Sequence, residues 1–184
     1  MKATCAADAR MGIREYFDVI FTVMRSPARH FERVASESGS RRALFFLMIS
    51  GIFYCSVSMT YFFENSLVMG VVMMANAVLM PALGAVFSFI LLGMTGQGRV
   101  PYGKVFNVYA YASGAVMVVS WIPGLAIVME PVRAVLVAIG LFKVAEVSKL
   151  KAVFIVVMTA FLLLVFFWAA APLVIELRDL SVRM

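Results

Sequence analysis

Residues 67–94 read LVMGVVMMANAVLMPALGAVFSFILLGM, twenty-eight consecutive residues without a single Lys, Arg, Asp, Glu or His. A helix on the surface of a soluble protein would turn a polar stripe toward water, and this segment has none to turn. Since about 20 apolar residues suffice to cross about 30 Å of hydrocarbon, it reads as a membrane span with residues to spare. As one helix it would extend about 42 Å at 1.5 Å per residue, so it must tilt, kink at Pro81 or protrude. The alternative is a hairpin of residues 67–79 and 82–94, which would invert the orientation of everything that follows.

Further apolar runs lie on either side, at residues 43–63, 105–121, 125–145 and 152–175. They are separated by Glu64-Asn65-Ser66, by a Gly-rich polar loop from Gly93 to Lys104, by Trp121-Ile122-Pro123-Gly124 and by a lysine-bearing turn at 143–151. The whole chain of 184 residues is 64% apolar and 14% charged, whereas soluble domains are about half apolar and about one quarter charged. The excess would leave a soluble fold greasy; a bilayer removes the difficulty. The reading is therefore all-α: a polytopic transmembrane bundle of five spans.

Charge placement sets the orientation, because Lys and Arg near short loops resist translocation. Eight of the sixteen Lys and Arg residues precede residue 43. The 64–66 turn has none, the 95–104 loop has Arg99 and Lys104, the 120–130 connection has none, and Lys143, Lys149 and Lys151 follow the fourth span. Basic and neutral sides alternate, which predicts N-in and C-out and argues against the hairpin, since a hairpin would put those three lysines outside. Residues 1–42 are then a cytoplasmic segment, 43–175 the five-span domain and 176–184 a short tail. No cleavable signal sequence is expected, because the first long apolar run starts only at Ala43, so that span acts as its own insertion signal.

The net charge of +6 is concentrated beside the membrane and interleaved with acids, which suits anionic headgroups rather than nucleic acid. Residues 13–25 have the spacing of an amphipathic helix, with Ile13, Tyr16, Phe17, Ile20, Phe21 and Met24 along one face. The helix is too short and too charged to span. It fits either a helix lying in the interface or one packed under the bundle, and Ile13, Phe17, Ile20, Phe21, Met24 and Phe31 are the candidate anchors. Ser26 is placed to cap a second short helix over about 27–37 with Pro27 in its first turn.

Charged residues in hydrocarbon are functional candidates by default. Glu130 and Arg133 stand out in the fourth span, and at i and i+3 they can pair on one face, most simply as an interfacial anchor. Asn76, Pro81 and Gly84 in the second run, with Asn107, Tyr109, Tyr111, Ser113 and Gly114 in the third, form the most polar stretch of the interior. Such groups turn toward other helices, either as ordinary packing or around a cavity or lipid-facing groove built on those two spans. Gly84 and Ser88, Ala110 and Gly114, and Ala134 and Ala138 are small residues four apart that permit close helix approach. His30 is the single histidine and, without ligand partners, reads as a surface residue. Cys5 and Cys55 are not expected to pair. No catalytic triad, metal motif or phosphate loop appears, so neither an enzyme nor a cofactor is expected.

The order of these features resembles the Yip-domain family of five-span membrane proteins in its short bacterial form. The resemblance is carried by Ser26-Pro27 and Phe31, by Tyr102, Val105-Phe106 and Tyr109-Ala110-Tyr111-Ala112-Ser113, by Ile139-Gly140-Leu141, and by Ser148 and Lys151-Ala152, across about residues 20–172. It implies five spans with a cytoplasmic N-terminus and no catalytic residue. Eukaryotic members assist vesicle trafficking, bind Rab-type GTPases and associate with relatives; the long N-terminal domain found there is lacking here, so a Rab-type partner is not expected. The function expected from the residues is a non-enzymatic membrane scaffold or adaptor in a bacterial cytoplasmic membrane, in contact with lipids and with itself or other membrane subunits. The competing expectation is a small transporter, channel or lipid-handling protein.

Overall fold

The structure is a computed structural model that describes residues 12–37, 39–62, 67–95, 100–122 and 124–183, with side chains throughout except at 61–62 and 170–183. Among the described residues it is entirely helical: α1 (Ile13–Arg25), α2 (Pro27–Ser36), α3 (Arg41–Phe62), α4 (Leu67–Met94), α5 (Tyr102–Ser120), α6 (Leu125–Val144) and α7 (Lys149–Arg183). The break at 64–66 and residues 96–99 of the Gly-rich loop lie outside the described residues, as do Cys5 and Pro123.

The long apolar run is one continuous helix, α4, through Pro81. The hairpin is thereby excluded. Proline removes one intrahelical hydrogen bond, but its ring is buried among neighbouring helices, where packing holds the helix together across the gap. Pro27 occupies the first turn of α2 as expected, whereas Ser26 at the N-cap makes no side-chain capping bond.

Four helices, α3, α4, α6 and α7, are long and apolar enough to cross a membrane. The other long helix, α5, is different in kind. It lies against α3, α4 and α6, and against the two N-terminal helices, and eleven of its nineteen residues are buried. Its side chains meet protein on nearly every face, so it needs less lipid-like character than the helices around it. Its Asn, Tyr and Ser residues are the polar groups that such shielding permits. The remaining long helix, α7, rests on α4 and α6 and is the most exposed: Leu164 is 68% and Trp168 80% accessible.

Neighbours α3 and α4 run antiparallel, with Gly51 facing Met74 and Ala77 and Gly70 facing Met59. Helices α1 and α2 fold over one end of the bundle, the cap end, where α3, α5 and α7 begin and α4 and α6 finish. The opposite end carries the α5–α6 turn, in which Gly124 adopts φ +82°, a left-handed conformation that glycine accepts without strain.

Candidate functional site

Two polar regions sit at opposite ends of the bundle, and a small hydroxyl cluster lies between them. The cap end is a docking surface closed by the chain's own first helices. On α2, His30, Phe31 and Val34 fall at adjacent angles of one helical face, and all three are buried. Phe31 fits against Gly140 on α6, where an added Cβ would come within 3.3 Å of the Phe31 ring and would also strike Val108 of α5. Hydrogen bonds between distant parts of the chain then fasten the cap. Lys104 Nζ donates to the Ala35 carbonyl (2.7 Å), Asn107 Nδ2 to the Gly39 carbonyl (3.0 Å), and Ser40 Oγ to the Gly103 carbonyl (3.2 Å). Tyr16 and Ser50 hydroxyls join at 2.8 Å, and ion pairs link Glu15 to Arg42 and Glu32 to Lys143. The Glu32 carboxyl is held below its ordinary range by the hydrogen bond and then the charge of Lys143.

His30 is not a surface residue. It is 7% exposed, with its ring edge-on to Tyr111 at 4.8 Å. Burial, reinforced by the charges of Arg33 and Arg42, lowers its pKa to about 4, so it is neutral near pH 7. Its Nε2 and the Oδ1 of Asn107 are buried without a hydrogen-bond partner among the described residues.

Mid-bundle, Tyr109 of α5 reaches Ser88 of α4 at 2.6 Å, and Ser88 reaches Thr159 of α7 at 2.8 Å. Three helices are thus joined by three hydroxyls. Gly84 makes this possible, because a Cβ there would lie 2.7 Å from the Tyr109 ring. One turn of α4 therefore supplies both the space for the ring and the partner for its hydroxyl. Gly114 plays a similar part against Phe46, at 2.7 Å, and Ser50.

Toward the other end, Asn76, Ser113, Ser120, Glu130 and Arg133 line a cavity of 200 Å³ with Tyr54. Glu130 and Arg133, paired as their spacing predicts, also border a groove of 350 Å³ between α6 and α7 that reaches Tyr109 and Thr159. Among the described residues no group of three or more His, Cys, Asp or Glu could hold a metal.

The polar residues of the second and third apolar runs therefore do not form one cavity. Asn76 and Ser113 face the far cavity, Tyr109 the hydroxyl cluster, and Asn107 and Tyr111 the cap. Of the expected anchors, Ile20 and Phe31 are buried against the bundle, while Ile13, Phe17, Phe21 and Met24 remain exposed. Helix α1 thus divides its apolar arc, with Val19, Ile20 and Val23 turned inward. Ala134 and Ala138 line open grooves instead of mediating a tight contact. Sequence reasoning missed Thr159, which is one polar residue in a long apolar run. It also missed the inward face of His30, which its phase beside Phe31 and Val34 could have revealed.

A buried polar hub inside a ring of lipid-compatible helices defines a multi-pass integral membrane protein. More narrowly, residues 21–171 match the Yip1 domain, and the chain belongs to that family, which is a family of membrane proteins not known as enzymes. Searches of curated proteins and of solved structures found no match. Of the residues that carry the resemblance, Tyr109 belongs to α5, and Gly140 faces both Val108 of α5 and Phe31 of α2.

Proposed function

We propose that this chain is a non-enzymatic membrane scaffold, crossing a bacterial cytoplasmic membrane five times with its N-terminal helices on the cytoplasmic side. The reading of α5 as the fifth crossing is supported by its length, since nineteen residues extend about 28 Å, close to the hydrocarbon thickness. The orientation is supported by the alternation of basic and neutral ends. The scaffold role is carried by one observation: from mid-bundle to the cap, interior hydroxyl and amide groups tie helices together, and the polar groups that line a cavity are confined to the far end. The hydroxyls of Tyr109, Ser88 and Thr159 bind one another, and on the cap side of Tyr109 along α5 lie the buried Val105 and Val108. Helices α4 and α7 keep bare apolar faces on which a second copy or another membrane subunit can pack.

Gentle solubilisation followed by mass measurement of the intact complex tests this. A self-associated species or a stoichiometric membrane partner is expected; a strictly monomeric chain with nothing bound contradicts it. A second reading, a small transporter, channel or lipid-handling protein, is favoured by the convergence of Asn76, Glu130 and Arg133 on one cavity. Flux or lipid transfer in proteoliposomes that collapses in Asn76→Leu and Glu130→Gln would establish it in place of the scaffold.

A further inference from the structure

At the cap end a separate groove of 480 Å³ opens between α6 and α7, walled by Val135, Ala138 and Ile139 on one side and Val153 on the other. Its mouth is basic. Lys143 and Lys149 both line it, and their ammonium groups stand 5.4 and 5.8 Å from the centroid of the same ring, Phe142. Such cation–π contact holds an ammonium in place without neutralising it. Lys143 is also paired with Glu32 at 2.6 Å, while among the described residues Lys149 is in no ion pair. Within the segments that form the mouth, 28–32 and 143–151, four cations (Arg29, Lys143, Lys149, Lys151) stand against two carboxylates (Glu32, Glu146), leaving a surplus of two positive charges. The two lysines sit on either side of a short turn whose inner residues, Ala145 and Val147, are buried, so their separation is fixed by packing.

We infer that this groove seats one anionic glycerophospholipid, with its phosphate between Lys143 and Lys149 and an acyl chain along Val135, Ala138, Ile139 and Val153. The walls belong to helices apolar enough to span a membrane, and the phase that wets them is acyl chain. A peptide would bring backbone N–H and C=O groups that this lining cannot pair. From Phe142 to Val135 the α6 wall runs about 10 Å, enough for the upper part of a chain below a headgroup held at the lysines. The charge surplus selects an anionic over a zwitterionic headgroup, since each basic residue near a headgroup contributes measurably to that attraction. This inference is independent of whether the protein is a scaffold.

The test is intact-complex mass spectrometry of the full-length protein titrated with phosphatidylglycerol and with phosphatidylcholine of identical chains. The unmodified protein is expected to prefer phosphatidylglycerol about tenfold. Lys143→Gln with Lys149→Gln should abolish that preference, while Arg25→Gln, at the exposed end of α1, should leave it unchanged. Ala138→Trp, which fills the groove without altering charge, should weaken binding of both lipids. Equal affinity for the two lipids in the unmodified protein, or an undiminished preference in the double lysine variant, overturns the proposal. So does an equal loss in Arg25→Gln, which would mean diffuse attraction, or full competition by soluble glycerol phosphate, which would mean that the apolar walls contribute nothing.

Discussion

The two ends of the bundle handle polar groups in opposite ways. At the cap end, side chains far apart in sequence meet and bind one another. Lys104 reaches residue 35, Asn107 reaches residue 39 and Lys143 reaches residue 32. Beneath these contacts Phe31, Val34 and Phe46 are wholly buried. At the far end Glu130 pairs only locally, three residues along the same helix, and the polar groups face a cavity and a groove. The same helices pass through both regions, so the difference lies in what covers them. The cap end has α1 and α2 as a lid of the chain's own making; the far end has no such element among the described residues and stays open to lipid or to a partner.

The largest expected effect comes from breaking the closed end. Phe31→Ala removes a fully buried ring from the α2–α6 contact and should destabilise cap docking by about 4 kcal/mol, seen as faster hydrogen exchange through α2. Tolerance at that site would erase the distinction between the ends. Acidification should act next. His30 binds a proton near pH 6.5 when undocked but only near pH 4 when buried, so the undocked state takes up more protons between those values. Docking is therefore fully favoured above about pH 6.5 and weakens by about 1.4 kcal/mol per pH unit down to about pH 4. Below the ordinary carboxylate range, protonation of Glu32 removes its pairing with Lys143 and adds to the loss. His30→Phe should flatten the profile above pH 4.5, while a profile unaffected by that change would place the titration elsewhere.

Smaller effects sharpen the contrast. Tyr109→Phe removes one hydroxyl from the mid-bundle cluster and should lower thermal stability by about 1 kcal/mol, leaving Ser88 and Thr159 bonded. Smallest of all, Phe17→Ala on the exposed stripe of α1 should change thermal stability by less than about 0.5 kcal/mol. It should nevertheless weaken binding of the isolated 12–37 peptide to vesicles, since that stripe would sit in lipid.

Helix positions were nearly all legible from the sequence. Residues 67–94 coincide with α4, and the amphipathic pattern at 13–25 coincides with α1. Their reading depends only on local periodicity and on uninterrupted apolar length. What sequence could not supply was which polar residue faces which neighbour, because that depends on helix rotation and pairing. Asn76, Asn107 and Tyr109 look alike as isolated polar groups in apolar runs, yet they end in three different environments. His30 was misread for a related reason: the lack of ligand partners does not say which way a side chain faces, while its helical phase beside Phe31 and Val34 pointed inward. The role of α5 was hidden as well. Its lower hydropathy marks a helix covered by others, which a reading of apolar runs alone takes for a weaker span.

That helix is where the account is most open to contradiction, since the opposition of the two ends depends on α5 carrying the chain from one side of the membrane to the other. The decisive measurement is labelling with a membrane-impermeant maleimide in intact and permeabilised cells, on a background lacking Cys5 and Cys55. Single cysteines would replace Pro101 and Ala126, two exposed positions that bracket α5. Ala126→Cys is expected to label in intact cells and Pro101→Cys only after permeabilisation. Labelling of both from the same side would mean that α5 does not cross.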